Sequence, residues 1–498
     1  MSDLNNINLP EDPYTIFPSS GFIRLLNSSA TNDPSPELII FHEPPYPFHK
    51  CGCEHEPCGA PGERQVNSTN EDINRKPRVT QSETSLARFR NFILFGFNDS
   101  NIPNNFSGFA FSSDCGINWT DGGNLPQNPN WQNGGDPVIA VDSHGIFYYA
   151  ELGGSPNTDA GVILISTGVV NPQTKRITMN TPFVAGEGTL PTNFEDKEWM
   201  AVGPDPSRGK FAEAIYLTWT DFSNNGTAIR FSKWVVGVTP TVLISSKTIS
   251  PDNNVSGSFP VIGPDGTIYV FYEQITSGVN RAIRMVKSTD GGTTFSSPIT
   301  VSNLKIAANN ILGCGRPAIQ VTPTKTIRSN EFPHAAIGPD GTLYVVFNSG
   351  TGNTLPQPAI NIYLAYSIDK GATWNVRQIT GNTAYAFMPS VIADNRGAHI
   401  QYSRFNGTSG VGNGRFALFM RTFNIRRGLG AEGMVSTVFS LVPDTNPNFD
   451  PGVANCYMGD YNQIIRGPGC ALYHGWGDNR NDIYNGNNPD VFFIQTGR

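Results

Sequence analysis

The chain has 498 residues, of which 15% are charged and 38% are hydrophobic. This charge content is too low for a disordered chain or a coiled coil, and 52 glycines with 38 prolines indicate a fold built from many turns. A net charge of −7 without any basic block argues against a nucleic-acid partner, and no apolar run is long enough to span a membrane.

The N-terminal part of the chain is predicted to form two units. Residues 1–60 form a small segment with short strands, and residues 61–80 form a polar linker. The segment contains a cluster of thiol and imidazole groups that could bind zinc, with an exposed linker carrying oxidisable thiols as the alternative. The cluster consists of Cys51, Cys53, His55 and Cys58. The N-terminus lacks the basic and apolar regions of a secretory signal peptide.

A Ser-x-Asp-x-Gly-x-Thr/Asn-aromatic motif recurs three times, at 112–119, 288–295 and 367–374. An Asp carboxylate at this position can accept backbone N–H groups further along the turn, and Gly permits a positive φ. The aromatic ring then fills the gap between neighbouring strands. We therefore predict structural roles for the Asp and aromatic residues of the motif, which are Asp114, Trp119, Asp290, Phe295, Asp369 and Trp374.

A second pattern, strand–tight turn–strand, occurs seven times and each copy is followed by a third strand-like run. The copies span 82–99, 136–152, 196–222, 258–274, 332–348, 387–405 and 459–480. No stretch shows sustained helical periodicity, which excludes an α/β sheet with crossover helices. The repeats predict an all-β fold, a single seven-bladed β-propeller over residues 81–498, with six blades as the alternative.

The Ser-x-Asp motif resembles the Asp-box, or BNR repeat, of the sialidase superfamily of β-propellers. Three further motifs resemble the bacterial exo-α-sialidase-like proteins: Gly135-Asp136-Pro137, residues 196–202 (DKEWMAV) and Gly459-Asp460-Tyr461. The resemblance implies a propeller that is directed at glycans and that acts at the cell surface or after secretion, with a cytoplasmic location as the alternative. Sialidases of this type have six blades and an Arg-Ile-Pro motif near the first strand. This sequence lacks the Arg-Ile-Pro motif and has seven copies of the strand pattern.

The residues at the start of each inner strand are the candidates for a site, because the innermost strands of a propeller converge on its axis. Glycoside hydrolysis uses two carboxyl groups, and Asp136, Glu198 and Asp460 could supply such a pair. The resemblance to sialidases implies a tyrosine nucleophile instead, and Tyr461 is the candidate. The alternative is structural: Asp side chains at these positions accept hydrogen bonds from a neighbouring blade and close the ring.

Four further residues are candidates for substrate binding. Lys197 and His334 stand at inner-strand starts, whereas Arg316 and Arg404 stand beside blade ends. An arginine can bind a carboxylate through two parallel hydrogen bonds, but the sequence favours a surface salt bridge for both Arg316 and Arg404.

The closing segment 477–490 carries Asp and Asn oxygens at short spacing. Asp478, Asp482 and Asp490 could form a Ca²⁺ site, with a loop held by side-chain-to-backbone hydrogen bonds as the alternative. Cys456 and Cys470 flank one hairpin-like segment and could form a disulfide, with two free thiols as the alternative.

The sequence thus predicts a protein that binds or hydrolyses terminal sugars at the propeller axis. The partner is a carbohydrate or glycoconjugate, and no cofactor other than Ca²⁺ is implied. The alternative is a non-catalytic surface or scaffold protein whose propeller faces bind another protein.

Overall fold

The computed structural model describes residues 62–69, 78–102, 104–158, 160–188, 193–223, 226–310, 316–407, 410–445, 450–481 and 488–497. Within these residues the chain forms seven antiparallel sheets arranged as the blades of a β-propeller, together with one separate two-stranded hairpin. The predicted all-β, seven-bladed fold is confirmed, and the six-bladed alternative is excluded.

The first strand, β1 (Arg64–Gln65), belongs to the last blade. Blades one to three follow, each given from the axis outward. Blade one contains β2 (Gln81–Phe89), β3 (Phe92–Asp99), β4 (Ser107–Ser112) and β5 (Thr120–Asn124). Blade two contains β6 (Gln132–Asn133) and β7 (Val138–Val141), which both pair with β8 (Phe147–Gly154), then β9 (Gly161–Asn171), which pairs with β10 (Arg176–Met179) and β11 (Phe183–Gly186). Blade three contains β12 (Phe194–Pro204), β13 (Glu213–Ser223), β14 (Gly226–Val235) and β15 (Thr241–Thr248).

The remaining blades continue around the ring. Blade four contains β16 (Val255–Ile262), β17 (Ile268–Ser277), β18 (Asn280–Ser288) and β19 (Ile299–Lys305), and the separate hairpin follows as β20 (Ala318–Thr322) and β21 (Lys325–Arg328). Blade five contains β22 (His334–Ile337), β23 (Leu343–Gly350), β24 (Ile360–Ser367) and β25 (Asn375–Gln378). Blade six contains β26 (Ala386–Asp394), β27 (Gly397–Phe405) and β28 (Arg415–Asn424), which pairs with β29 (Gly428–Leu429), β30 (Gly433–Met434) and β31 (Ser440–Leu441). Blade seven contains β32 (Gln463–Arg466), β33 (Leu472–Asp478) and β34 (Asp490–Thr496).

The ring closes through the N-terminal strand. β1 pairs antiparallel with β34, Arg64 opposite Phe493, and so supplies the outermost strand of blade seven. Residues 64–65 lie in the segment 61–80 that the sequence predicts to be a polar linker, and they form a strand there. The physical reason is that the outer edge of β34 offers unpaired backbone groups that a short polar strand can satisfy.

Hydrogen bonds between neighbouring blades hold the inner strands in register. The Ser85 hydroxyl accepts the Ile139 amide at 2.8 Å, and the Ser390 hydroxyl accepts the Ile464 amide at 3.1 Å. The Gln463 side-chain oxygen accepts the Leu86 amide of blade one at 2.7 Å. Each bond joins a side chain of one inner strand to a backbone amide of the next. These polar side chains therefore link neighbouring blades and satisfy the amides that they accept.

Because strands alternate in direction, each inner strand begins at one face of the ring, which we term the upper face. The hairpin between the second and third strands of a blade lies at the upper face as well, and the hairpin between the first and second strands lies at the lower face. The Ser-x-Asp turns follow the third strands and therefore lie at the lower face.

The Ser-x-Asp turns have one common hydrogen-bond pattern. In the second copy, the Ser288 hydroxyl donates to the Asp290 carboxylate at 2.7 Å and accepts the Gly292 amide at 2.9 Å, while the Thr294 amide donates to Asp290 at 2.9 Å. The turns of Asp114 and Asp369 repeat this arrangement. These carboxylates are engaged within their own turns and stand apart from the axis.

The aromatic residues that end the three turns are half-buried between blades. Trp119 packs edge-on against Phe493 of blade seven, with ring centroids 5.1 Å apart. Phe295 packs against Phe231 of blade three at 5.1 Å, and Trp374 against Phe271 of blade four at 5.9 Å. Each ring therefore joins its own blade to the preceding one.

The cysteines differ from the pairing proposed from sequence. Cys470 is a free thiol, whereas Cys456 and Cys115 are disulfide-bonded. The predicted Cys456–Cys470 disulfide is therefore wrong, because proximity along one hairpin does not by itself bring two sulfurs into bonding geometry.

Among the described residues, no helix has the length and apolarity needed to cross a membrane.

Candidate functional site

Five of the seven blades place a residue with positive φ near the start of the inner strand. These residues are Glu83 (54°), Asp136 (58°), Lys197 (56°), Gly257 (63°) and Met388 (50°). In four of these blades the inner pairing breaks register at this point, which forms a bulge. A left-handed backbone is unfavourable for residues other than glycine. This conformation recurs at inner-strand starts, in three cases with a charged residue, and therefore singles out these positions as candidates for a site.

Lys197 lies at the centre of this cluster. Its ammonium nitrogen is 3.7 Å from Asp136 Oδ2 and lies over two aromatic rings, 4.0 Å from the centroid of Tyr461 and 5.4 Å from that of Phe332. Burial lowers the pKa of Lys197, but the surrounding carboxylates, first Glu83 and then Asp136, outweigh it and raise the pKa above its ordinary value. Lys197 is therefore a fixed cation inside the upper mouth of the propeller.

Glu83 and Asp136 form a coupled pair of acids beside Lys197. Burial raises the pKa of Asp136 to about 6, against the lowering effect of Lys197. Burial and the charge of Asp136 raise the pKa of Glu83 well above its usual range. Glu83 accepts the Asp460 backbone amide at 2.8 Å and the Asn98 side-chain amide at 3.1 Å. Two adjacent buried carboxyl groups disfavour each other's ionised form.

The hairpin β20–β21 contributes an arginine that the sequence did not single out. Arg328 is 1% exposed, and its Nε donates to Asp460 Oδ1 at 2.6 Å while Nη2 contacts Oδ2, which is the two-pronged geometry of a strong ion pair. Asn330 also donates to Asp460 Oδ1 at 2.6 Å. The guanidinium carbon lies 4.5 Å from the centroid of the Tyr457 ring. Arg328, Asn330 and Tyr457 lie outside the repeats that guided the sequence analysis, and no motif marks them.

Arg316, predicted as a substrate-binding residue, belongs to the same charged cluster. It is buried, and burial together with the like charge of Arg328 lowers its pKa to about 9. Asp460 and Asp196 act on it in the opposite direction.

A small cavity opens at the axis next to these charges. Its volume is about 30 Å³, which accommodates a water molecule or two but no sugar ring. Trp199, Phe259 and Tyr461 form much of its wall, with ring centroids of Trp199 to Phe259 and to Tyr461 4.5 Å and 5.2 Å apart. An aromatic wall with a few polar groups is the usual composition of a small-molecule site.

Glu198 lines this cavity and is the polar group best placed to meet a ligand. It is buried, and neither carboxyl oxygen receives a hydrogen bond from another described residue. Ser258 Oγ and Asn348 Oδ1, which belong to residues on the same wall, are unpartnered as well. Burial, reinforced by the charge of Asp136, raises the pKa of Glu198 well above its ordinary value. Burial therefore favours the neutral form of Glu198, whose carboxyl group lines a cavity able to hold a hydroxyl group or water.

Tyr461 and His334 lie at the axis, but the structure engages their polar atoms. The Tyr461 hydroxyl donates to the Pro137 carbonyl at 2.9 Å, and burial raises its pKa well above the usual range, so the phenol stays neutral. His334 Nδ1 accepts the Val391 amide at 3.3 Å, and Nε2 lies 3.2 Å from the Ser390 hydroxyl. Burial lowers the pKa of His334 to about 3. Both side chains line the cavity and tie blades together.

Arg404 and the predicted calcium ligands lie elsewhere. Arg404 forms an ion pair with Glu432 at 2.8 Å and stacks on Phe419, and it does not line the axial cavity. Asp478 forms an ion pair with Arg480 at 2.6 Å. Asp490 accepts side-chain amides of Asn67 at 2.7 Å and Asn481 at 2.9 Å.

Several predicted metal ligands lie outside the described residues, namely Asp482, Cys51, Cys53, His55 and Cys58. Within the described ranges, no group of three or more His, Cys, Asp and Glu residues has the geometry of a metal site. The zinc and calcium sites stay predictions.

No protein-family model and no curated protein matches this sequence. Solved structures with a similar fold include a Dyadobacter fermentans protein of unknown function (13% identity, TM-score 0.41, 76% of this chain and 97% of that chain). They also include Trypanosoma rangeli sialidase in complex with the inhibitor DANA (12% identity, TM-score 0.41, 72% of this chain and 59% of that chain). A third is polysaccharide lyase Uly1 (8% identity, TM-score 0.46, 83% of this chain and 89% of that chain).

Proposed function

We propose that the protein is directed at glycans and receives a terminal sugar at the upper mouth of the propeller. The observation that carries the proposal is the buried, unpartnered carboxyl of Glu198 in an aromatic-walled cavity. Because the cavity holds only about 30 Å³, the sugar ring lies over the mouth and directs one hydroxyl or the glycosidic oxygen towards Glu198. Phe332, which is half-buried at the rim, offers a flat face to the ring.

The acids at the mouth support hydrolysis as the reaction. Glu198, held in its protonated form by burial, donates its proton to the departing glycosidic oxygen. Asp460, held by two hydrogen bonds from Arg328, is the carboxylate that activates the attacking water. Asp460 takes a proton from that water as Glu198 loses its own, and the positive charge of Lys197 stabilises the negative charge left on Glu198.

The test is a hydrolysis screen on a panel of fluorogenic glycosides that includes a sialoside. We expect release from at least one substrate, with a loss of 100-fold or more in Glu198→Gln, the size expected of a general acid. Glu187→Gln makes the same chemical change at an exposed position and serves as the matched control. Equal rates in both variants would overturn the proposal. Running the screen with Ca²⁺ and then with a chelator tests whether the predicted Ca²⁺ site affects activity.

A second candidate function, a protein-binding scaffold, is favoured by the outer edge of blade three. Among the described strands, β15 pairs only with β14, and it exposes Val242 (50%) and Leu243 (42%). An exposed apolar edge strand pairs readily with another strand, and a second copy of the chain offers the same edge. Light scattering on the wild type and on Leu243→Lys tests this: the scaffold predicts a dimer that the variant abolishes, and a wild-type monomer contradicts it.

The cysteines support an extracytoplasmic location. Disulfides persist in oxidising compartments, and two described cysteines are disulfide-bonded. We therefore propose that the protein acts outside the cytoplasm. Thiol titration of the protein purified from its native compartment under denaturing conditions tests this, because a fully reduced protein would contradict it.

A further inference from the structure

A second and much larger cavity lies on the upper face between blades four and five. Its volume is about 570 Å³, within the range of small-molecule sites. It is bounded by the β17–β18 hairpin and β19 of blade four and by the end of β23 and β24 of blade five. No part of the proposed chemistry at the axis uses it.

The two cavities share a wall. Asn348 of β23 lines the axial cavity, whereas its neighbours Phe347 and Ser349 line the cavity between the blades. This follows from strand geometry, since successive side chains point to opposite sides. A ligand that occupies both cavities therefore has to pass over the upper end of β23.

The second cavity has the surfaces that a sugar requires. Tyr363 is half-buried and stacks on the buried Phe347, with centroids 6.0 Å apart and planes inclined by 13°. This fixes the Tyr363 ring in one orientation at the cavity wall. Ser302, Asn303 and Thr351 add hydroxyl and amide groups around it. A fixed aromatic face with neutral hydrogen-bonding groups suits a pyranose, which has an apolar face and a rim of hydroxyls.

The charges around the cavity favour an anion. Arg281 is buried 3.2 Å from Glu273 and 3.9 Å from Glu331, so its charge is already compensated. Burial and the proximity of Glu331 raise the pKa of Glu273, and burial raises the pKa of Glu331, so the doubly ionised form of this pair is disfavoured. Lys305 donates to the Asn280 side-chain oxygen and has no carboxylate within ion-pairing distance among the described residues. Its positive charge is therefore available to a ligand.

We propose that the cavity between blades four and five is a subsite for an acidic sugar unit of an oligosaccharide, with Tyr363 stacking on the ring and Lys305 binding the carboxylate. The inference rests on the proposed function, since it makes the axial sugar the end of a longer acidic chain. It goes beyond that function by naming the substrate class as acidic oligosaccharides rather than isolated terminal sugars.

The experiment measures chain-length dependence of binding by calorimetry. The probes are galacturonate oligomers of one, two and four units and neutral galactose oligomers of the same lengths. We expect the acidic tetramer to bind at least tenfold more tightly than the acidic monomer and than the neutral tetramer. Raising the salt concentration reduces the preference for the acidic tetramer over the neutral tetramer, because the ion pair with Lys305 is partly exposed.

Two variants and one control assign the effect to the cavity. Tyr363→Ala removes the gain with chain length, and Lys305→Met removes the preference for the acidic tetramer. Lys210→Met makes the same charge change in the exposed β12–β13 hairpin at the lower face and leaves both unchanged. Urea midpoints of all three variants establish that each is folded.

The outcomes separate this inference from the proposed function. Equal affinity for monomer and tetramer, or tetramer binding unaffected by Tyr363→Ala and Lys305→Met, overturns the subsite while axial activity stands. Tetramer binding that Tyr363→Ala abolishes and Glu198→Gln leaves unchanged, in a protein without hydrolytic activity, supports the subsite and overturns the axial site. Absence of binding to every probe overturns the subsite, and the glycoside screen then decides the proposed function on its own.

Discussion

The ammonium group of Lys197 lies 3.7 Å from a carboxylate oxygen of Asp136 and 4.0 Å from the centroid of the Tyr461 ring. Both charged side chains are almost fully buried, so Lys197 depends for compensation on the carboxylates around it, Glu83 and Asp136 first among them. We expect Lys197→Met to lower the free energy of unfolding by about 3–5 kcal/mol at pH 7, which is the usual cost of removing one member of a buried ion pair and leaving the other charge uncompensated. Urea unfolding measures this.

The control for that pair is the double variant Asp136→Asn/Lys197→Met. It removes both charges at once, so we expect it to be more stable than Lys197→Met alone by about 1–3 kcal/mol. A double variant no more stable than the single one would show that Lys197 acts through packing on Tyr461 and Phe332 rather than through its charge.

The ion pair between Arg328 and Asp460 connects the β20–β21 hairpin to blade seven. Asp460→Asn replaces the carboxylate and leaves the buried guanidinium with Glu83, whose nearest oxygen is 3.6 Å away. We expect the Arg328 amide, which donates to the Cys456 carbonyl, to exchange its hydrogen at least tenfold faster in this variant. Amides of β9, on the opposite side of the ring, provide the internal reference, and unchanged exchange at Arg328 would contradict a positioning role for Asp460.

The fold follows closely from the sequence because its information is local and repeated. Each blade carries a tight turn between two apolar strands, and these signals were sufficient to predict the inner three strands of all seven blades. β1 could not be predicted this way, since Arg64 and Gln65 form a strand only when they pair with Phe493 and Phe492 of β34, more than 400 residues later in the chain.

The sequence predicted where the residues of the candidate site lie, but it predicted only some of those residues. Asp136, Lys197, Glu198, Asp460 and Tyr461 converge because each stands at an inner-strand start, which is a consequence of the repeat. Arg328 and Asn330 come from a hairpin inserted between blades, outside any repeat. Arg404 follows the repeat too, but it stands at the end of a second strand, where the side chain pairs with Glu432 instead of facing the axis.

Trp374 tests the role of the aromatic residue that ends each Ser-x-Asp turn. Its ring is half-buried against Phe271 of the preceding blade, which reduces the cost of its removal relative to a fully buried tryptophan. We expect Trp374→Ala to lower the free energy of unfolding by about 2–3 kcal/mol, below the ~3–5 kcal/mol of a core position. Ile368→Ala, in the same turn and 71% exposed, is the control and should change stability by less than about 0.5 kcal/mol. Equal effects in the two variants would show that the ring does not join the blades.

Glu151 gives the protein a pH dependence that can be isolated. Burial raises its pKa to about 8, and the Ser107 hydroxyl only partly offsets this. The folded state therefore keeps a proton that the unfolded chain releases above its ordinary pKa of about 4.5, so the contribution of Glu151 to stability is complete below pH 4.5 and is lost as the pH rises towards 8. Over that interval each pH unit costs about 1.4 kcal/mol.

Glu151→Gln keeps the shape of the protonated acid and removes the titration. We expect the free energy of unfolding of this variant to fall less steeply with pH than that of the wild type, by about 1.4 kcal/mol per pH unit between pH 5.5 and 7.5. Urea titrations at four pH values give the two slopes. Glu187→Gln, at an exposed position, should leave the wild-type slope unchanged. Because Glu195 and the other buried acids are present in all three proteins, only the difference between curves reports on Glu151, and parallel curves for the wild type and Glu151→Gln would mean that Glu151 is ionised in the folded protein at neutral pH.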